Sequence, residues 1–541
     1  MELVRFKIVS TKLCGGLLSG VEVLFSPQSL DPKRPTCLVG PNGSGKSQFL
    51  QSLAEALQTA YVDLAPTDSK EERVIANRDL EFELEFRTSE KAGQQVHVHL
   101  TNLAETSGKR KRVKTSATKV ESGERMPLEA TNALKLLPKG IVGYTSGGNE
   151  TLSTPFMVSR AAYAEAVRTA AFNDGNPPAQ PRLTLVDTET HELVLLSILT
   201  AAEPDVRSAV LEGSRMTDLH SFRLIIQLAH RAAKGTRTRE ARALEYNGLK
   251  FQAPKRTKTQ LTGELEAYVE MLKRSATCWE YDPSSETYTL DFLCDEAVRR
   301  AASHFWKEPV ELYSSLRKLA MLNDLVINKS ARERYERDLK QGKLSARVSE
   351  AQEMDKIFRA TEIKLTDAKG AEVDYIGLSD GEHQNAQILG MFAMYDQSDV
   401  LFLLDEPESH FNPEWRVQFV TRVLNIPDPN EVRGKQECLL TTHSPFVPSD
   451  LDREQVLIFD RGETSIEVLR PDRQTFGASF DSIVQSCFKI YPPFGQQARD
   501  RVDELMKSTD KEDLEQGLEE IGDSVNRAFI AARLNEIAKK Q

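Results

Sequence analysis

Cysteine is scarce. Six are found in 541 residues, Cys14, Cys37, Cys278, Cys294, Cys438 and Cys487, with no C-x-x-C pair and no histidines at zinc spacing. That excludes a disulfide scaffold and a zinc finger, and a reducing cytoplasm is the expected home. No run approaches the ~18 apolar residues that span a bilayer, so no membrane segment is expected, and residues 400–404 read as a short buried strand. Residues 1–10 alternate charged and apolar side chains and read as a strand, not a signal peptide. Positive charge is not in excess: the net charge is -11. The chain as a whole therefore lacks the footprint of a nucleic-acid binder, although a local basic patch is compatible with it. Sustained heptads are also missing, and Gly235, Gly248, Pro254 and Pro283 interrupt the middle of the chain, which argues against a long two-stranded coiled coil. No repeat or low-complexity block stands out.

What is present is an ordinary globular composition, 40% hydrophobic and 28% charged. The chain exceeds the ~250–300 residues at which single cores stop growing, so two or three domains are expected. Residues 1–158 read as one lobe of an α/β nucleotide-binding core, with Thr36–Val39 as the strand entering a glycine-rich turn. Residues 375–461 repeat the α/β rhythm and read as the other lobe. Between them, 159–374 is rich in helix formers and charge, notably over 205–233 and 309–359, and reads as a mainly helical insertion. Residues 462–541 read as a helical tail.

The strongest motif is Gly40, Pro41, Asn42, Gly43, Ser44, Gly45, Lys46, Ser47. It fits G-x-x-x-x-G-K-[ST] between a predicted strand and a predicted helix, the context a phosphate-binding loop requires. Glycines let backbone N–H groups turn onto phosphate oxygens, Lys46 brings charge to the outer phosphates, and the Ser47 hydroxyl is placed for Mg²⁺. Downstream, the apolar run 400–404 ends in Asp405 and Glu406, the arrangement of a Walker B element. Asp405 would hold the Mg²⁺ shell and Glu406 would orient and deprotonate the attacking water. Between them, Leu378-Ser379-Asp380-Gly381-Glu382 precedes a helical run; read without a partner motif, it is a Ser-Asp-Gly turn capping a helix. Last comes Thr442-His443-Ser444-Pro445 after a strand. The glycine-rich stretch at 143–150 is either a nucleotide-sensing loop, with Ser146, Asn149 or Glu150 in that role, or an ordinary loop.

In this order the motifs resemble those of ABC-class ATPases, so the expected fold is an ABC-type P-loop ATPase head split by the insertion, with ATP and Mg²⁺ as ligands. The resemblance implies that Ser379 and Gly381 serve the γ-phosphate of a nucleotide held by a second head, hence at least a homodimer, and that His443 contacts the γ-phosphate. Asp380 and Glu382 depart from the L-S-G-G-Q pattern, and their carboxylates are expected to point away from phosphate. Leu378 lies 331 positions beyond Ser47, too far for a transporter subunit of ordinary domain length.

A split head of this kind resembles the SMC, RecF and OLD-like ATPases. Within that group, Leu378 to Gln384, Asp405-Glu406-Pro407-Glu408-Ser409-His410-Phe411-Asn412-Pro413 and Thr442-His443-Ser444-Pro445 most resemble the PtuA-type ATPases of Septu and some retron-linked antiphage systems. That resemblance implies a separate HNH nuclease partner, and in retron systems a reverse transcriptase with its DNA–RNA product (msDNA). With 98 residues after His443, no nuclease such as the Toprim domain of OLD enzymes is expected in this chain. The alternative is a RecF- or SMC-like DNA repair ATPase. Two basic stretches, Lys109, Arg110, Lys111, Arg112 with Lys114, and 231–242 with Lys255, Arg256 and Lys258, are either solvated loops or a track for a nucleic-acid backbone.

Overall fold

Short apolar runs buried on both faces form the centre of the molecule, as strands of a parallel sheet must when helices cover both sides. The computed structural model describes residues 1–25, 34–65, 77–89, 95–107, 110–121, 124–147, 150–173, 175, 178, 181–186, 190–229, 238–327, 330, 334, 352–428, 432, 435–491 and 495–540. From the N-terminus, β1 (Glu2–Ser10) and β2 (Glu22–Leu24) precede β3 (Thr36–Val39) and the helix α1 (Lys46–Leu64). Next come β4 (Glu81–Ser89), β5 (Gln95–Ser107), β6 (Arg110–Glu121), β7 (Glu124–Pro127), α2 (Ala130–Leu136), β8 (Gly140–Thr145) and α3 (Glu150–Asn173). The middle holds β9 (Leu183–Val186), α4 (His191–Ala201), α5 (Pro204–Val210), β10 (Met216–Gln227), β11 (Arg242–Tyr246), β12 (Leu249–Ala253), α6 (Gly263–Ser275), β13 (Cys278–Asp282), β14 (Thr287–Leu293), α7 (Glu296–Phe305), α8 (Pro309–Ala320), β15 (Phe358–Asp367) and β16 (Glu372–Asp374). The last part holds α9 (Asp380–Met394), β17 (Val400–Asp405), α10 (Pro413–Asn425), β18 (Glu437–Thr441), β19 (Val456–Arg461), β20 (Ile466–Leu469), α11 (Phe480–Phe488), α12 (Gln496–Lys507), α13 (Lys511–Glu520) and α14 (Val525–Lys540).

The head is a seven-stranded sheet, β20-β19-β3-β18-β17-β8-β9, parallel except for the edge strand β20. Its inner strand β17, Val-Leu-Phe-Leu-Leu-Asp, is buried at every position. Asp405 stands opposite both Thr441 and Thr145, and Thr441 opposite Leu38. Four strands from distant parts of the chain therefore end level, and the crevice beyond the carboxyl ends of such strands is where ligands bind.

A second, antiparallel sheet, β2-β1-β4-β5-β6-β7, covers α1. In β4 the alternation Glu-Phe-Glu-Leu-Glu-Phe buries Phe82, Leu84 and Phe86 on one face, and Phe49 of α1 meets Phe6 at 5.5 Å between ring centroids. β5 parts from β4 after Asn102 and continues paired with β6 from Leu103–Lys114 to Ser107–Arg110, so the two strands run on as a ribbon.

The helices expected between the lobes are there, and they pack on a five-stranded antiparallel sheet, β13-β14-β10-β15-β16. Residues 205–233, expected to be helical, contain one short helix and then β10. There Phe222, Leu224 and Ile226 are buried at every second position, a period-two pattern that outweighs the charge-rich composition. Gly248, with φ 80° and Asn247 at 47° before it, makes the tight turn joining β11 to β12. The expected boundaries at 158/159 and 461/462 do not coincide with the edges of the head sheet, since β9 and β20 both belong to it. The tail is three helices around a small core of its own, Leu505, Leu514 and Ile530. Among the described residues, no helix is long and apolar enough to cross a membrane.

Candidate nucleotide site

The phosphate loop takes the form its glycines permit. Gly40, Gly43 and Gly45 have φ of 137°, 74° and 91°. A Cβ on Gly40 would lie 2.3 Å from the Phe459 carbonyl oxygen, and one on Gly45 2.7 Å from Ile466. Only glycine fits a positive φ at such close approach. Gly45 caps α1, and Phe49 N–H donates to its carbonyl at 2.8 Å. Pro41, Asn42 and Gly43 face solvent, whereas the Ser44 hydroxyl is buried and, among the described residues, has no hydrogen-bond partner. Lys46 folds back, donating to the carbonyls of Gly40 (3.0 Å) and Pro41 (3.1 Å). Burial lowers its pKa, opposed by the Glu406 and Asp405 carboxylates.

The sheet brings Asp405 to Ser47 across 358 residues of sequence: the Ser47 hydroxyl donates to Asp405 Oδ1 at 2.7 Å. Thr441 donates to the same oxygen at 2.6 Å from the end of the neighbouring strand. Glu406 follows with φ 51°, a left-handed conformation uncommon outside glycine. Its N–H bonds the Thr441 carbonyl (3.2 Å) and hydroxyl (3.1 Å). His443 is half-exposed, with Nε2 3.4 Å from Glu406 Oε1. Burial, then the Lys46 ammonium, holds its pKa below the ordinary value, against the pull of Glu406 and Asp405.

A hydroxyl and a carboxylate in contact are hard oxygen donors that suit Mg²⁺, which keeps several waters and binds through one or two carboxylates plus substrate phosphates. Ser47 and Asp405 would hold the ion, and Mg²⁺ there supplies charge neutralisation for phosphate oxygens. The glycine-rich turn and Lys46 suit phosphate groups, and Glu406 and His443 stand together at the same edge of the sheet. The arrangement can bind a nucleotide and position water against it.

The signature residues lie apart from this cluster. Ser379 caps α9: its hydroxyl accepts from Glu382 N–H at 3.3 Å, while the Glu382 carboxylate accepts from Ser379 N–H at 3.0 Å. This corrects the expectation that Glu382 turns away, because the reciprocal capping box draws the carboxylate back over the helix start. Gly381 is packed so closely that a Cβ would lie 3.0 Å from the His410 carbonyl oxygen.

Two neighbours, Arg461 and Glu408, were given no role from sequence, and the weaker loop candidate Ser146 lies beside Asp405. Arg461 donates to the Gly43 carbonyl at 2.9 Å. Glu408 is fully buried, its carboxylate accepts from the Thr442 hydroxyl, and burial pushes its pKa up to about 7. Ser146 donates its N–H to the Asp405 carbonyl at 3.0 Å; Asn149 lies outside the described residues, as does the Glu150 side chain. The available signal was polar residues at the ends of buried strands. In the second basic stretch, Arg256 is buried and pairs with Glu266 at 3.0 and 2.8 Å, so it lines no groove. Residues 231–237 of that stretch, and Lys109 of the first, lie outside the described residues.

Residues 291–450 match the family described as "AAA domain, putative AbiEii toxin, Type IV TA system". The match spans the signature, Walker B strand and His443 but not the phosphate loop. No curated protein matches. Among solved structures, the SMC head domain from Thermotoga maritima is 12% identical, covering 87% of this chain and 100% of that one, with a TM-score of 0.33. The Smc head domain with a coiled coil and joint from Pyrococcus yayanosii is also 12% identical, covering 90% of this chain and 98% of that one, at 0.31. The parallel sheet, with the phosphate loop and the Asp405–Glu406 pair at its carboxyl edge, has the arrangement of a P-loop ATPase head.

Proposed function

We propose that this chain binds and hydrolyses ATP with Mg²⁺, closes with a second copy through its heads, and thereby controls a separate HNH nuclease in bacterial antiphage defence. The observation that carries the ATPase part is the convergence of Lys46, Ser47, Asp405, Glu406 and His443 at one edge of the sheet. Ser379 makes its hydrogen bonds within its own helix cap, in keeping with a role toward a partner's nucleotide. The nuclease partner, with a reverse transcriptase and msDNA if a retron is present, is supported by the resemblance of the three C-terminal motifs to PtuA-type ATPases. The matched family's description, which names a toxin–antitoxin system, is in keeping with defence.

Co-purification from the native operon is the test. An HNH protein or a retron complex retained on the full chain is the expected result, and its absence together with tight duplex binding overturns the defence reading.

A second reading, an ATPase of DNA repair that binds DNA directly, is favoured by one feature. The ribbon of β5 and β6 carries Arg110, Lys111, Arg112 and Lys114 within five positions of an otherwise acidic chain. Duplex affinity that falls steeply with salt, and loses slope when these residues are replaced by Gln, would support it.

A further inference from the structure

Gln384 is 3% exposed, on the second turn of α9, and both sides of its amide are hydrogen-bonded, to the loop after β17 and to strand β8. Oε1 accepts the His410 backbone N–H at 3.0 Å, which fixes the amide's orientation because a backbone N–H requires an acceptor. Nε2 donates to the Tyr144 hydroxyl at 3.1 Å and the Ser409 hydroxyl at 3.4 Å. Ser409 in turn bonds the Ser146 hydroxyl, and Ser146 N–H donates to the Asp405 carbonyl. An unbroken chain of hydrogen bonds thus runs from the signature helix to the residue at the metal position. The seat is tight from the other side too, since a Cβ on Gly381 would lie 3.0 Å from the His410 carbonyl oxygen and Arg416 donates to the Ser409 carbonyl at 2.7 Å.

We propose that Gln384 is a positioning residue that holds the signature helix in fixed register with its own chain's Walker B loop, so that one head presents both halves of the composite site at once. This rests on the two-head reading above. In a two-fold pair, each chain offers Ser379 to its partner's nucleotide while holding its own at Ser47 and Asp405, and both contacts must close together. A signature helix free to shift against the loop after Asp405 meets one nucleotide only by misplacing the other. The amide supplies both an acceptor for His410 and donors for Tyr144 and Ser409. Leucine supplies neither, and an ionised glutamate no donor.

The test uses the full chain with Glu406→Gln to slow turnover, followed by light scattering against ATP concentration. Dimerisation of this parent is expected, and a parent that stays monomeric at saturating ATP overturns the two-head reading and this inference with it. Adding Gln384→Leu is expected to raise the ATP concentration for half-dimerisation about tenfold, a coupling of ordinary size between sites, and Tyr144→Phe to raise it less. Affinity of the single head for a fluorescent ATP analogue, measured in a Ser379→Ala background, is expected to stay unchanged. Should Gln384→Leu fail to fold, Tyr144→Phe and Ser409→Ala decide by the same readout. Dimerisation at the parent's ATP concentration, or a loss matched by an equal loss of single-head affinity, overturns the positioning role.

Discussion

Glu406 holds a left-handed backbone that costs a non-glycine residue about 1–3 kcal/mol, and two hydrogen bonds from its N–H to Thr441 keep it there. Such strain aims the carboxylate past the strand end toward His443. Replacing Glu406 by Gln keeps shape and bonds but removes the carboxylate proposed as the base. Turnover in a phosphate-release assay is expected to fall by ~10²–10⁴ with ATP still bound, and undiminished turnover would remove Glu406 from the role of base. Glu408, two residues on, makes a different prediction. Its folded pKa stands at about 7 against 4.5 for the free side chain, so within that window the folded chain holds a proton the unfolded chain has released. Stability from this group is full below the lower value and lost as pH rises through the upper one. Glu437, partly buried and raised to about 7, acts in the same direction. Melting temperature is expected to fall between roughly pH 5 and pH 8, and Glu408→Gln to flatten that fall while keeping an acceptor for Thr442. Parallel pH profiles for the two proteins in scanning calorimetry would refute this.

Elements carry the site through their ends. The phosphate loop is legible in sequence because its glycines, lysine and serine are contiguous and flanked by a strand and a helix pattern. The positions behind it, Phe459 and Ile466, come from β19 and β20 and carry no local signal. Gly40→Ala would drive a Cβ into the Phe459 carbonyl at 2.3 Å, an atom that cannot swing aside. The loop must shift, and ATP binding measured by fluorescence is expected to be lost while the sheet stays folded. At the start of α9, Ser379→Ala removes the cap that receives Glu382 N–H, worth ~1 kcal/mol. A small drop in the urea midpoint, with loss of ATP-induced dimerisation, is the expected pair of results. β10 shows where reading by composition fails: Arg, His and Asp among its apolar residues resemble a solvated helix until alternate positions are compared, and its partners β14 and β15 are remote in sequence.

At the scale of the whole molecule, the tail from α12 to α14 closes a core of its own, separate from those of the head. Deleting residues 495–540 is therefore expected to leave the head's ATP affinity and main melting transition unchanged; a large drop in either would mean that the tail braces the head. The sequence by itself determined the motifs: the residues of the glycine-rich loop between strand and helix, the carboxylates that end the strand at 400–405, and their order along the chain. These are local patterns, set by side-chain type and spacing within a few residues. Tertiary structure alone decided that Ser47 and Asp405, 358 positions apart, share a hydrogen bond, that β9 and β20 complete the head sheet, that a second sheet lies among the inserted helices, and that Gln384 joins the signature helix to the Walker B loop. Strand register and loop-to-loop bonds arise from packing between segments far apart in sequence, and no short window of residues records which partner each will meet.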